Sequence, residues 1–414
     1  MNALSIVHKQ IQACEGMISS VRGLKADAVS PLRIGVVFSS IPGWGAGIGF
    51  YRMFVRSLAL VAEECGVEVG VVFDRQDDHA LHALAGLPGG RWSLLMKDGR
   101  TALPETATFH RIGCFVDLFN SQPWVKGVGT VAWLPDFQHL HLRDHFTPDE
   151  LAVREKTFEE RAVGAELILC SSETVATDFR SVFPLLEDKA RVARFPSNLV
   201  FETMPDEQPS SALTKYHLPD RYALVANQYW SHKNHQAVLN AVAAARREGV
   251  IIPVVLTGLP LDSRDASNGP TSQILQSIAK LALSGQVIPL GQVPYRDLIQ
   301  LMRAAALIIQ PSRFEGWSTI VQDAKALGRP LMCSDIPVHR EQAPSSLGFF
   351  GCDDSDSLAR LLVEHWPSLN AVWDREREAT HLQNHLEVAR DYGKTLAAVA
   401  RSALSLARAT ATPD

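Results

Sequence analysis

Pro311-Ser-Arg-Phe-Glu-Gly-Trp-Ser-Thr-Ile-Val-Gln-Asp-Ala-Lys-Ala-Leu-Gly-Arg-Pro330 is the stretch that decides the fold. The run Leu307–Gln310 before it reads as a buried strand. A tight loop with Glu315 and Gly316 follows. Ser318 is a good N-cap for a helix that ends before Gly328. Gly316 permits a positive φ or a close backbone approach. The first amides of that helix, at Thr319, Ile320 and Val321, make an anion site. Glu315 and Asp323 bracket it. Thr319 and Asp323 share one helix face, while Ile320, Ala324 and Leu327 form the packed face. Asp323, one turn in, suits two vicinal hydroxyls; Glu315 is placed for a different part of the same ligand. A capped surface helix with two solvated acids would account for the same residues, so a second feature must decide.

That feature lies upstream. Strand Tyr222–Ala226 runs into Asn227-Gln-Tyr-Trp-Ser-His-Lys-Asn234 and a helix over Lys233–Arg247. Lys233 falls in the first turn, where a cation opposes the helix dipole unless it faces an anion held by the same terminus. Phosphate is the obvious anion. Asn227 and Gln228 are side chains able to donate to it. An exposed lysine at a fraying helix end is the plainer alternative.

Around these features the chain alternates strand and helix twice, which predicts α/β architecture with parallel sheets. The first round comprises strands Ile34–Phe38, Val67–Phe73, Val131–Leu134 and Leu167–Cys170, with helices Tyr51–Glu64, Asp149–Val163 and Glu173–Ser181, the last capped by Ser172. A weak helical pattern covers residues 3–23. The pattern pauses at Phe195-Pro-Ser-Asn198 and the polar stretch Met204–Ser211. The second round adds strands Ile252–Thr257, Val287–Leu290 and Leu331–Ser334 and helices Thr271–Leu283, Leu298–Ala306 and Thr319–Leu327. Two doubly wound Rossmann-like domains follow, over residues 1–196 and 197–385, facing a central cleft. A last helix over about 386–410 is able to pack back on the first domain. With 414 residues, two cores are expected.

Composition excludes several classes. A net charge of −5 makes no case for nucleic acid. Six scattered cysteines without a CxxC pair read as reduced thiols, not as a disulfide framework or zinc site. No run of 18 apolar residues predicts a membrane span, and the N-terminus lacks a signal-peptide layout. A cytoplasmic protein is the simplest reading.

Two stretches of the first domain belong at the cleft. Ile41-Pro-Gly-Trp-Gly-Ala-Gly-Ile-Gly-Phe50 reads as a mobile lip, with Gly45, Gly47 and Gly49 over the opening. It is no dinucleotide fingerprint: the third glycine of G-x-G-x-x-G falls on Ile48, Phe50 or Arg52. Trp133-Leu-Pro-Asp-Phe-Gln-His-Leu-His-Leu-Arg-Asp-His145 follows a strand end, and Asp136 and His139 are expected to face a substrate. His139, His141 and His145 fit no zinc motif. Asp354-Ser-Asp356 is better explained as a helix cap than as a magnesium site, so no metal is expected.

Together these residues resemble the retaining GT-B glycosyltransferases of family 4, the glycosyl transferases group 1. Glu315 to Asp323 matches that family's E-x7-E, and Lys233-Asn234 its K-N. Gly291-Gln-Val-Pro-Tyr-Arg-Asp-Leu298 looks like its G-x-V segment, with Gly291 and Val293 near the base. Ser171-Ser-Glu-Thr174 and Ser334-Asp-Ile-Pro-Val-His-Arg-Glu341 look like its serine-rich turn and its S-D-x-P-x-x-x-E segment. The match spans nearly all of residues 33–390.

The resemblance implies transfer of a sugar from a GDP- or UDP-linked donor to an acceptor hydroxyl, with retention and without metal or other cofactor. The acceptor would be a saccharide or lipid-linked saccharide, the latter bringing peripheral contact with the inner membrane face. Glu315 would hold donor sugar hydroxyls with amides at Gly316, Trp317 and Ser318, Lys233 would neutralise the leaving diphosphate, and Asp323 would bind ribose. Two positions depart from the pattern: Asp323 stands where the family has Glu, and Gln228 where it often has Arg. They keep open a catalytically weak nucleotide-sugar-binding partner subunit, beside an epimerase or phosphorylase on the same fold.

Overall fold

The structure, a computed structural model, describes residues 31–38, 45–74, 92–97, 103–118, 125–202, 209–261 and 269–411. The pattern at residues 3–23 lies outside them, as do residues 41–44 of the glycine-rich stretch.

Among the described residues the first sheet has seven parallel strands, ordered β3-β2-β1-β4-β5-β6-β7. They are β1 (Leu32–Val37), β2 (Val67–Asp74), β3 (Trp92–Lys97), β4 (Cys114–Asp117), β5 (Gly129–Leu134), β6 (Leu167–Cys170) and β7 (Ala190–Val192). Helices α1 (Gly45–Leu60), α2 (Leu103–His110), α3 (Gln138–His141), α4 (Pro148–Gly164) and α5 (Glu173–Val182) connect them. Strands β4, β5 and β6 are buried along their whole length, as both-face coverage demands of a parallel sheet.

Among the described residues the second sheet has six parallel strands, ordered β10-β9-β8-β11-β12-β13. They are β8 (Ala223–Ala226), β9 (Val254–Thr257), β10 (Val287–Gly291), β11 (Leu307–Gln310), β12 (Leu331–Ser334) and β13 (Gly348–Phe350). Helices α6 (Ser210–Lys215), α7 (His235–Arg247), α8 (Gly269–Lys280), α9 (Tyr295–Ala304), α10 (Thr319–Ala326), α11 (Pro337–Gln342) and α12 (Ser355–His365) belong to it. Each sheet reverses its winding once, between β1 and β4 and between β8 and β11. Such switch points open a crevice at the strands' carboxyl ends, where ligands bind in doubly wound folds.

A last helix, α13 (Arg375–Ala411), straps the two domains together. At its start, Glu378 accepts from Arg303 Nε at 2.8 Å and from Trp373 Nε1 at 2.9 Å, both second-domain groups. Its later half adds Tyr392, Leu396, Val399 and Ala403 to the first-domain core. The helix crosses α1 so closely that a Cβ on Gly393 would lie 2.1 Å from the Ser57 carbonyl oxygen.

The glycine-rich stretch corrects an expectation. Gly45, Gly47 and Gly49 lie in the first turns of α1, not in a lip. The apolar spacing of Tyr51, Phe54, Val55 and Leu58, all buried, continues the helix backward through them. Each helical glycine costs at most about 1 kcal/mol, which that burial outweighs.

Candidate active site in the interdomain cleft

Lys233 and Glu315 stand on either side of the switch point of the second sheet, one after β8 and one after β11. Their side chains meet, with Nζ to Oε1 2.6 Å. Each is only about a tenth exposed, the lysine 12% and the glutamate 11%. Gln310, fully buried at the end of β11, ties the two strand ends together. Its Oε1 accepts from Asn227 Nδ2 at 2.9 Å, and its Nε2 donates to Glu315 Oε1 at 2.9 Å and to Ser312 Oγ at 3.1 Å. Burial works to raise the Glu315 pKa. The Lys233 charge and hydrogen bond, aided by His339 and Ser312, outweigh burial and hold it below the usual carboxylate range.

The backbone around Lys233 differs from the expected helix turn. Ser231–Lys233 is a 3-10 turn, and Asn234 then takes a left-handed conformation (φ 55°). That interruption delays α7 to His235, so Lys233 precedes the helix. Asparagine tolerates this backbone, and its Nδ2 donates to the Pro311 carbonyl at 3.2 Å and to that of Cys352 at 2.9 Å. Asn234 thereby fixes the Lys233 turn against the Glu315 loop.

Gly316 has a reason that the sequence alone did not specify. A Cβ there would meet the Pro135 carbonyl oxygen at 2.1 Å and Asp136 Cβ at 2.8 Å. The loop between the strand and helix of the second domain is pressed against the end of β5 in the first. Next to it, Trp317 turns its ring into the first-domain core, and its Nε1 donates to the Phe195 carbonyl at 3.1 Å. The Trp317 side chain is an interdomain anchor.

Ser318 caps α10 as expected, its Oγ accepting from Val321 N at 3.4 Å. Its amide, however, donates to Gln342 Oε1 at 3.0 Å, and its carbonyl accepts from Gln342 Nε2 at 2.6 Å. The Ser318 and Val321 amides are therefore occupied within the protein. Thr319 and Ile320, the first two helical residues, keep amides that the helix cannot satisfy internally.

Asp323 is 7% exposed and accepts from Ser197 Oγ at 2.6 Å. Burial pushes its carboxyl up to about 6, and the Ser197 hydroxyl offsets that only in part. Beside it Gln322 Nε2 donates to the Phe195 carbonyl at 3.1 Å. Trp317, Gln322 and Asp323 thus all grip residues 195–197, where the chain crosses between the domains.

The first-domain wall redistributes the predicted roles. Asp136 lies against Gly316, but its Oδ1 accepts from Gln138 N at 2.9 Å and pairs with Arg154 Nη2 at 3.4 Å. His139 is turned inward, 2% exposed, packed on Phe158 at 4.9 Å and stacked on Phe137 at 6.0 Å. Burial, then the nearby Arg154 charge, holds its pKa below the usual histidine range. The expectation that His139 faces the cleft is overturned: the short α3 helix rotates it toward the first-domain interior. His141 takes the outward place. Its ring stacks on Phe314 of the second domain at 5.2 Å, and its Nε2 lies 2.9 Å from Asp178 Oδ2. His145 approaches His232 of the second domain at 6.3 Å. Gly49 borders the crossover, its carbonyl accepting from Asn198 Nδ2 at 3.0 Å.

The remaining predicted residues make contacts within the second domain or at its border with the first. Gly291 ends β10 in a left-handed conformation (φ 66°), its carbonyl accepting from Gly258 N and Thr257 Oγ1, both at 2.9 Å. Val293 packs into the second-domain core, and Gln228 follows Asn227, half-buried. Asp354 caps α12, accepting from Ser357 N at 2.9 Å. The two serine-containing segments meet each other: Glu341 accepts from the first α5 amide, at Glu173, at 3.1–3.2 Å and from Arg194 Nε at 2.6 Å. Among the described residues no group of three or more His, Cys, Asp or Glu side chains has a metal-holding arrangement. Nor is any helix among them long and apolar enough to cross a membrane.

Two doubly wound domains whose strand ends face each other across a shared cleft define the GT-B fold. A crystal structure of a glycosyltransferase from Rickettsia africae is similar over 93% of this chain and all of its own, with TM-score 0.62 and 12% identity. The Anabaena HepE protein, solved in complex with UDP, is similar over 90% of this chain and 98% of its own, with TM-score 0.56 and 17% identity. Residues 214–362, within the second domain, match the family described as glycosyl transferases group 1. The O-antigen chain mannosyltransferase B of Escherichia coli is 24% identical over 196 residues. That alignment takes in 47% of this chain, which thereby spans about half (49%) of the relative's length.

Proposed function

We propose that this protein is a glycosyltransferase that moves a sugar from a nucleotide-sugar to an acceptor hydroxyl with retention of anomeric configuration. The observation that carries this reading is the buried Lys233–Glu315 pair at the switch point of the group 1 domain. It puts one cation and one hydrogen-bonding carboxylate where a doubly wound fold receives its ligand. The cation would face the donor diphosphate together with the Thr319 and Ile320 amides, and the carboxylate would take sugar hydroxyls.

In the reaction, the bond between the anomeric carbon and the diphosphate oxygen breaks, and the acceptor oxygen bonds to that carbon. The acceptor proton passes to the departing phosphate on the same face. Lys233 acts by stabilising negative charge that grows on the leaving group, a contribution that in preorganised sites is often the largest. No step in this scheme calls on a metal. HepE is solved in complex with UDP and the E. coli relative is named for mannosyl transfer to an O-antigen chain, which together support a UDP- or GDP-linked hexose and a saccharide acceptor. A lipid-linked saccharide acceptor would bring the protein to a membrane surface as a peripheral partner.

The test is a melting-temperature panel of nucleoside diphosphates followed by product detection with the matching sugar donors. A ligand at 100 times its dissociation constant stabilises by about 2.7 kcal/mol. UDP or GDP is expected to raise the melting temperature, and Lys233→Ala and Glu315→Ala to abolish sugar release. A panel in which no nucleotide shifts the transition rejects the donor site.

A further inference from the structure

Asp323 offers a ligand less than its place in the motif suggests. Its Oδ1 is engaged by Ser197 Oγ at 2.6 Å, and Ser197 Oγ is itself held by the Leu199 amide at 3.0 Å. Oδ2 makes no hydrogen bond among the described residues, and it is not one of the buried side-chain atoms left without a partner. It is therefore the oxygen that solvent reaches. Ser197 is 2% exposed, and the crossover that carries it is anchored at Phe195 by Trp317 and Gln322. This carboxylate is clamped on one side and open on the other.

We propose that Ser197 is a positioning residue that makes the ribose subsite read a single hydroxyl, through Asp323 Oδ2 alone. This rests on the donor reading above. A vicinal diol donates two hydrogen bonds to a carboxylate with two open oxygens. With Oδ1 committed to Ser197, one ribose hydroxyl is bound by charge-assisted hydrogen bonding, and the other is left to water. Specificity for ribose over deoxyribose then depends on one position of the ring only.

Calorimetric titration of the whole protein with UDP and GDP tests this, using for the better binder its 2′-deoxy and 3′-deoxy forms. In wild type, one deoxy form is expected to bind about tenfold more weakly and the other as the parent does, since one charge-assisted hydrogen bond is lost in one case only. Ser197→Ala releases Oδ1, so both deoxy forms should then lose affinity relative to the parent. Ser197→Thr keeps the hydroxyl and should restore the one-sided pattern, which a merely structural role would not do. Equal loss with both deoxy forms in wild type overturns the proposal even if Ser197→Ala does not fold. So does a Ser197→Ala protein with the wild-type pattern. If neither UDP nor GDP binds wild type, the donor reading falls first and takes the subsite with it.

Discussion

Glu315 and Asp323 are two buried carboxylates eight positions apart, at the two ends of one loop-and-helix segment, and their electrostatics are opposite. Glu315 has a lysine at 2.6 Å and is held below the usual carboxylate range in spite of its burial. Asp323 has, among the described residues, a serine hydroxyl as its one hydrogen-bond partner and is pushed up to about 6. Burial is common to both. The difference is one nearby cation, which turns a penalty on the charged form into a preference for it. One segment therefore carries a carboxylate built to stay ionised and another whose ionisation is costly until something else enters the cleft.

The sharpest way to break the comparison is to take the cation or its partner away. Lys233→Met leaves Glu315 in the environment of Asp323, and Glu315→Gln leaves a buried ammonium unpaired. Each single variant should lose about 3 kcal/mol in denaturant unfolding. Each should also lose roughly a hundredfold or more in turnover. The double variant should regain much of the stability and none of the turnover. A double variant as unstable as the sum of the singles would mean that the two groups are not coupled.

A milder test uses pH on the other acid. The folded Asp323 binds its proton more tightly than the unfolded chain, whose reference value is 3.8. Its contribution to stability is full below the unfolded value and is lost as pH rises through about 6. Asp323→Asn removes this dependence. Between pH 4 and pH 8 the variant should gain on wild type by up to about 3 kcal/mol in unfolding free energy. Glu315 runs the other way: its contribution is present above the unfolded value and is lost as pH falls through its lowered folded value. A constant gap between Asp323→Asn and wild type would remove the contrast between the two acids.

The smallest effect belongs to a carboxylate at the rim. Glu341 bridges the domains through the α5 amide and Arg194, with its side chain 17% exposed. Glu341→Gln keeps its shape and loses its charge. Unfolding experiments should show a loss of at most about 1 kcal/mol, shrinking in high salt. A larger, salt-insensitive loss would place Glu341 with the buried pair.

Much of this is legible in the sequence. Strands Leu307–Gln310, Leu331–Ser334 and Leu167–Cys170 fall where their apolar runs predict, and Ser172 and Ser318 cap the helices they precede. These features are local, set by hydrophobic period and capping chemistry. The apolar pattern does not single out strands β3, β4, β7 and β13. Strands β3, β7 and β13 lie at sheet edges, the last two spanning only three residues, whereas β4 is central and buried throughout but only four residues long, too short for its period to mark it. Histidine spacing drew attention to the right segment but not to the right ring. His139 and His141 differ by two positions on a helix of four residues, and that rotation puts one in the core and the other on Phe314. Gln310 carries a signal of its own in the sequence, a polar amide ending an otherwise apolar strand.

The chain's own order of residues determined two doubly wound domains, the strand ends where a ligand belongs, and the residue types available there. Those depend on interactions within a few positions of each residue. Tertiary structure alone decided the pairings. Lys233 finds Glu315 across 82 residues, and Ser197 finds Asp323 across 126 residues and the domain boundary. Which oxygen of a carboxylate is spent and which stays open depends on side-chain reach across a closed cleft. One methylene more or less changes that reach without leaving any trace in periodicity or capping.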